Sequence, residues 1–485
     1  MLTVKYDDFS GGYWGDASDA RPNQDNKWYG RNVQVYPNGQ IGPRRAQTTQ
    51  AITGTTSSFL WMGVLTLDNS TVATLYWVEQ SGSDLVFKYL FNDTTGAITT
   101  GGTIRSGAGN GVSGYVMDQR TQRIAFGRLN KYAAYHSTST GAFTTSLKVA
   151  RHGERAVGGD PSTLYRMNFS NAADYYTWGA SNYVDIGDAA RITGFISADN
   201  TQLYVMKANA IWLVSGVLGA TATVRHLLDF RAGDSSGDDR PFAARTEFGL
   251  MGLRRSDGVA CIFDGARVTA YDEQGSSWVY CYPLPGGGLL WTDGGNEGLV
   301  WTPTSGFARH TFGSSVAFMS SWRADENYDS DAAIYGGSST ANLTQWIPNP
   351  ASSVPYGLSS NDGAASGQLQ GVWYLPEYYS TSGKVLRVRN VTVQFTKYKY
   401  SSGVTNEIVC QAVAKGSYES GDVTSTALTW SESANSASTT GTEDSVRFSF
   451  GDQGFGNGFQ IQFTSLKGVT IKEVSVQCDE RNRRT

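Results

Sequence analysis

What most limits the fold of this chain is a series of short apolar runs between residues 164 and 271, each closed by Gly, Asn or Asp. Leu203 to Met206, Ile211 to Val214 and Val259 to Phe263 are each too short for a globular helix and read as strands. The segment LYVMKANAIWLVSG predicts a hairpin that turns at Lys207 to Ala210, with Asn209 able to take a left-handed conformation. Two Asp-Gly steps, Asp257-Gly258 and Asp264-Gly265, bracket a single strand. Glycine adopts positive φ there without steric cost, which makes the step a tight-turn signal. Repeated strand–turn–strand units of this size are what a β-propeller blade is made of.

The same pattern extends in both directions. FLWMGVLTLD and TVATLYWVEQ, from Phe59 onward, predict strands joined at Asp68-Asn69, and DLVFKYLF alternates from Leu85 to Phe91. Gly111 to Gly127 and Lys131 to Phe143 add further pairs, and Asp229 to Asp239 reads as a polar loop. Trp278 to Leu284, Gly298 to Trp301 and Phe307 to Thr311 continue the strands, and a last blade near Asp331 to Trp346 closes the ring. No strict period fixes the number of blades. Composition agrees with an all-β chain: 57 Gly and 12% aromatic residues in 485, against only 17% charged.

Four segments are expected. Residues 1–50 form an extended arm that cannot fold alone and lies on its own propeller or on a neighbouring copy. The propeller fills 51–346. IPNPASSVPYG, with three of the twelve prolines, is a linker at 347–357. Beyond it KVLRVRNVTVQFTKY, NEIVCQAVAKG, SVRFSFG, GFQIQFTS and VTIKEVSVQC read as strands of a jelly-roll-like β-sandwich over 358–485.

Taken in order, several motifs resemble the propeller proteins of tailed-bacteriophage virions. They are Asn168-Phe169-Ser170 and Tyr176-Thr177-Trp178, the Asp-Ile-Gly-Asp step at Asp185 to Asp188, and Ile192 to Gly194. Leu203 to Lys207, Ile211 to Gly216, Ser256 to Val259 and Phe263 to Gly265 follow. Asp8 to Gly12 and Arg31 to Arg44 look like the opening of the same proteins. The resemblance implies a tail nozzle or minor tail protein. Such a protein forms part of a homo-oligomeric ring, sixfold or threefold, beside other tail or connector proteins. It belongs to the virion and is assembled in the host cytoplasm. The alternative is a receptor- or glycan-binding tail protein, with host surface glycan as partner and glycosidase activity.

The residues themselves narrow the chemistry. A net charge of -4 leaves no basic footprint for nucleic acid, so DNA passing such a ring would not be held. MLTVKYDDFSGG has no apolar signal segment and no run is long enough to span a bilayer, which predicts a cytoplasmic origin. His136, His152, His226 and His310 are scattered, and no G-x-S-x-G elbow occurs. Cys261, Cys281, Cys410 and Cys478 lack zinc spacing and read as reduced core thiols. Asp325 to Asp331 departs from a calcium loop at Ser330 and Gly336, and reads as a solvated acidic turn. Trp291 to Gly295 is similar to the Asp-box turn of sialidases but lacks its opening Ser, and reads as an ordinary blade turn. No catalysis, cofactor or metal is therefore expected. The residues singled out for assembly are Phe9, Gly11, Gly12, Tyr13 and Trp14 of the arm, whose glycines permit close backbone approach, with Arg44 and Arg45. Arg44-Arg45 and the Arg481, Arg483, Arg484 cluster serve either solubility or pairing with acidic patches on adjacent virion proteins.

Overall fold

The computed structural model describes residues 1–9, 29–36, 38–44, 48–50, 59–66, 73–90, 98–105, 115–118, 123–127 and 131–134, then 140–233 except 145, 243–271 except 247, and 278–312 except 285–286 and 304–305. It further describes 316, 318–321, 333–336, 343–346, 370–399 except 381–382, 405–417, 421–433, and 438–482 except 452–453. Among them every regular element is a β-strand. They fall into two units: residues 49–296 with 314–345, and residues 1–48 with 297–313 and 346–485.

The first unit is the propeller. Five four-stranded antiparallel meanders begin at Phe59, Tyr115, Leu147, Ile192 and Ala243. A sixth repeat opens with the hairpin Tyr280–Leu284 and Gly288–Thr292. The last sheet is Phe318–Ser321, Ala333–Gly336 and Leu343–Trp346, and its fourth strand is Thr48–Gln50, from far earlier in the chain. The first strands of successive blades lie side by side from Tyr115–Asp118 onward, Phe318–Ser321 returns to Phe59–Thr66, and Ile98–Arg105 of the first blade meets Lys131–Ala134 of the second, so the ring is closed. That makes seven first strands among the described residues, a number that no sequence period could give.

Apolar faces pack between adjacent blades. Val149, Ala156 and Tyr175 meet Val116 and Ala125 of the blade before. Val157, Met167 and Phe169 meet Leu203, Val205 and Val214 of the blade after. Met206 and Ile211 in turn meet Met251, Leu253 and Cys261. Each fully buried Leu, Val or Phe stabilises the ring by about 1.5–3 kcal/mol relative to exposure. The turns follow the sequence signals: Gly258 and Gly265 of the two Asp-Gly steps have φ of 91° and 97°. Asp264 Oδ1 accepts from the Ala266 and Arg267 amides at 2.9 Å, so the aspartate caps its own turn.

The second unit is the sandwich. One sheet runs Val33–Val35, Ile41–Pro43, Val469–Arg481, Val385–Lys399, Ser438–Ser449, with Leu2–Tyr6 also on Val469–Arg481. The other carries Glu297–Thr302, Gly306–Thr311, Tyr29–Arg31, Gly371–Tyr374, Gly458–Lys467 and Thr405–Ser417 in order. Val391, Val393, Phe395, Ile461, Phe463 and Val474 are among the residues of the shared core. Successive strands from Val385 to Thr405 and from Ser438 to Val469 alternate between the sheets, the jelly-roll habit.

Apart from Thr48–Gln50, the described part of the stretch read as an extended arm is built into this unit. Leu2–Tyr6 alternates, and Leu2, Val4 and Tyr6 pack against the core while Thr3 and Lys5 face out. Five residues are too few to announce a strand, and the partner strand lies at the other end of the chain. The linker expected at 347–357 falls outside the described residues.

Candidate functional site

The best-defined polar cluster in the propeller is made of the motif residues that carried the family resemblance. Tyr183–Asp185 is the outer strand of the third blade, and the chain then turns through Ile186, Gly187 and Asp188. Gly187 has φ of 57°, and a Cβ there would sit 2.2 Å from the Trp212 ring. Only glycine lets this turn lie against the indole. Lys207 ends the strand Gln202–Lys207 of the fourth blade and has no exposed surface. Its Nζ donates to the Ile186 carbonyl, the Asp188 carbonyl and Asp188 Oδ1, each at 2.5 Å. Three N–H donors thus meet three acceptors. Asn209 Nδ2 donates to Asp188 Oδ2 at 2.5 Å. The hydrogen bond from Lys207, followed by that from Asn209, holds the Asp188 carboxyl at about 2.

The expected left-handed Asn209 is not found. The described non-glycine residues with positive φ are Asn32, Lys148 and Ala173. Asn209 serves instead through its side chain. An ammonium with every N–H engaged is no nucleophile, and a carboxylate this acidic is no general acid. Asp188, Lys207 and Trp212 therefore form a lock between the third and fourth blades.

Two other clusters have catalytic residue types and the wrong arrangement. His152 Nδ1 lies 2.9 Å from Ser197 Oγ. The Ser197 hydroxyl donates to the Asp199 carbonyl at 2.9 Å, so it accepts from His152 and is not deprotonated by it. Asp199 Oδ1 accepts from the Thr201 and Gln202 amides at 2.6 and 2.8 Å, which caps its own turn. In the sandwich, Lys415 Nζ bridges Glu377 at 2.6 Å and Asp422 at 2.8 Å, while Tyr379 donates to Glu377 at 2.8 Å. Acid–base hydrolysis of a glycoside needs one carboxyl raised and free to protonate a leaving group. Every carboxyl group whose pKa is moved among the described residues is moved down.

Among the described residues no three His, Cys, Asp or Glu gather as metal ligands. His226 pairs with Asp229 at 3.0 Å on the surface, and His310 is buried, which drives its pKa well down. The four cysteines are free and buried. At Trp291 to Gly295, Asp293 Oδ1 accepts from the Gly295 amide at 2.7 Å, a plain turn. His136 and the acidic turn at Asp325 to Asp331 lie outside the described residues.

Of the residues singled out for assembly, Phe9 is buried in the sandwich core and meets Trp373 edge-on, with centroids 5.0 Å apart. Arg44 is also buried. Its guanidinium donates to the Thr311 carbonyl at 2.7 Å and covers the Phe312 ring. Arg44 therefore offers no charge to a neighbouring protein, contrary to its reading as part of a surface cluster. The two have different neighbours, so the structure does not bring them together. Gly11, Gly12, Tyr13, Trp14 and Arg45 lie outside the described residues. Sequence reading missed Asn32, whose positive φ lets its side chain accept from the Thr311 amide at 2.8 Å. Its signal was the placement of an Asn between two short strands.

No family model and no curated protein matches the chain. Solved structures do. It is similar to the WD40 repeats of RRP9, at 7% identity and a TM-score of 0.43, over 64% of this chain and 99% of that one. It is similar to the C-terminal WD40 domain of Sif2, at 11% identity and a TM-score of 0.40, over 64% and 100%. The Neurospora crassa Pan2 WD40 domain matches at 8% identity and 0.40, over 61% and 90%. Likenesses this distant say nothing of function, and the propeller stands on its own ring of sheets.

Proposed function

We propose that this protein is a structural component of a bacteriophage tail, a nozzle or minor tail protein that contributes to a ring around the DNA channel. The observation that carries the reading is the fate of the resembling motif. Its Asp-Ile-Gly-Asp, Leu-x-Val-x-Lys and Ile-Trp segments converge on the lock of Asp188, Lys207 and Trp212. A line of residues spent on holding two blades together supports a scaffold, and its resemblance to tail propellers supplies the setting. A rigid ring of blades lets surface loops vary without cost to the core. The net charge of -4 suits a passage that must not retain DNA. For the rival, a glycan-cleaving tail protein, Glu377 and Asp422 offer no free acid, because Lys415 bridges them.

The test is the composition of purified virions together with the native mass of the isolated protein. Presence in the tail as a closed oligomer is expected. Absence from particles, or a monomer at every concentration, would end the reading. Depolymerisation of host polysaccharide by the purified protein would transfer the case to the rival.

A further inference from the structure

We propose that the outer part of the third blade carries a binding site for a neutral hexose, built from Tyr183, Asp185, Arg166 and Asn168. The inference goes beyond the tail reading and needs only this blade.

The strands Arg166–Phe169 and Tyr183–Asp185 pair with Arg166 opposite Asp185 and Asn168 opposite Tyr183. Side chains alternate along a strand, so these four share one face of the sheet. Met167, Phe169 and Val184 take the other face, in the core toward the fourth blade. Tyr183–Asp185 ends the sheet of its blade. Tyr183 is 42% exposed, and the Asp185 side chain 43%.

Each planar group is already held in place. The Arg166 guanidinium lies 3.8 Å from the centre of the Tyr183 ring. Its Nε and Nη2 donate to Asp185 Oδ1 and Oδ2 at 2.7 and 3.1 Å. Asn168 Nδ2 donates to Asp160 Oδ2 at 3.0 Å. Asp160 Oδ1 in turn accepts from the Ser162 and Thr163 amides. Ring, carboxylate and amide are therefore set before any ligand arrives, as a binding site requires. An ion pair this exposed adds little to stability, so the fold does not demand the arrangement.

The groups match a pyranose. Its C–H face is apolar and suits the part of the Tyr183 ring that Arg166 leaves open. Its hydroxyls both donate and accept. A carboxylate offers about four lone-pair sites, of which Arg166 takes two on Asp185. Asn168 Oδ1 has no donor among the described residues. A guanidinium has about five N–H groups, and Arg166 keeps those that Asp185 does not take for hydroxyl oxygens. Two carboxylates, Asp185 and Asp160, stand against the one guanidinium of Arg166, so the face is net acidic. That repels a sugar bearing a carboxylate and favours an uncharged one.

The experiment applies saturation-transfer NMR to the full chain with the methyl glycosides of glucose, galactose and mannose, and with glucuronate as the charged probe. Transfer to the ring protons of at least one neutral hexose is expected, and none to glucuronate. Tyr183→Ala should weaken that binding about tenfold, because the stacking face is lost. Tyr183→Phe should retain it, because the ring and not the hydroxyl meets the sugar. Asp185→Asn should weaken it, while thermal melts of all three variants coincide with that of the parent. No transfer to any neutral hexose, equal binding by Tyr183→Ala, or a preference for glucuronate would each overturn the site. None of these results bears on whether the protein belongs to a tail.

Discussion

Replacing Lys207 by Met probes the lock directly. Met keeps the length and apolar stem of the side chain but removes the ammonium. It leaves the Ile186 and Asp188 carbonyls without their donor and Asp188 Oδ1 without its counter-charge. Each orphaned buried acceptor costs about 1–3 kcal/mol. Breaking one side of a buried ion pair costs about 3–5 kcal/mol. The Asp188 side chain is 48% exposed, so water re-solvates the carboxylate and the lower end applies. We expect a loss of about 3 kcal/mol. Urea unfolding followed by tryptophan fluorescence measures it, and hydrogen exchange of the peptide spanning 186–215 localises it. The exposed pair of Lys472 and Glu443 provides the control, where Lys472→Met should change stability by less than about 0.5 kcal/mol. The acid side gives a second reading. The Asp188 pKa falls from 3.8 to about 2 on folding, so its contribution is complete above 3.8 and is lost as pH falls through about 2. The gap between wild type and Asp188→Asn should therefore be flat from neutral pH down to about 4 and vanish near 2. A Lys207→Met loss below about 1 kcal/mol, or unchanged exchange at residues 186–188, would refute the lock.

Gly187→Ala combines a positive φ with a collision against Trp212 and should cost about 3 kcal/mol. Gly258→Ala, strained by φ alone, should cost about 1 kcal/mol, and thermal melts of the two variants compare them. Phe9→Ala empties a buried site beside Trp373 and should destabilise the sandwich by about 3–5 kcal/mol, read as faster exchange in 469–481 with the propeller peptides unchanged. A thiol reagent should modify none of the four cysteines in the native protein and all four in urea, because burial raises each thiol and hides it. Turn aspartates such as Asp199 and Asp264 are lowered from 3.8 chiefly by backbone amides, so propeller stability should hold above about pH 4 and fall as pH drops through their folded values. Substituting both with Asn should flatten that part of an unfolding-against-pH curve.

The strand pattern was readable because its punctuation is local. Asp257-Gly258, Asp264-Gly265 and the alternation of Val391, Val393 and Phe395 each act within a few residues. What stayed hidden depends on partners distant in sequence. Lys207 at the end of an apolar strand looks like a solvated stop, and only the carbonyls of another blade explain its burial. Arg44 beside Arg45 looks like surface charge, and only the Thr311 carbonyl and the Phe312 ring make it internal. The number of blades was illegible for the same reason, since one strand of the last sheet is spelled before the first blade begins.

That borrowed strand sets a clock on biosynthesis. Thr48–Gln50 leaves the ribosome early, and Leu343–Trp346, the strand it pairs with, is among the last of the propeller to follow. At roughly 5–20 residues per second, the wait is roughly fifteen seconds to a minute. Throughout it the growing arc has two open edges, each a template for another nascent chain. A ring closed this way is completed late, after its other blades have been made. A chain cut short before Leu343 would keep six well-formed sheets and still be left with both open edges, prone to joining its neighbours on the same polysome.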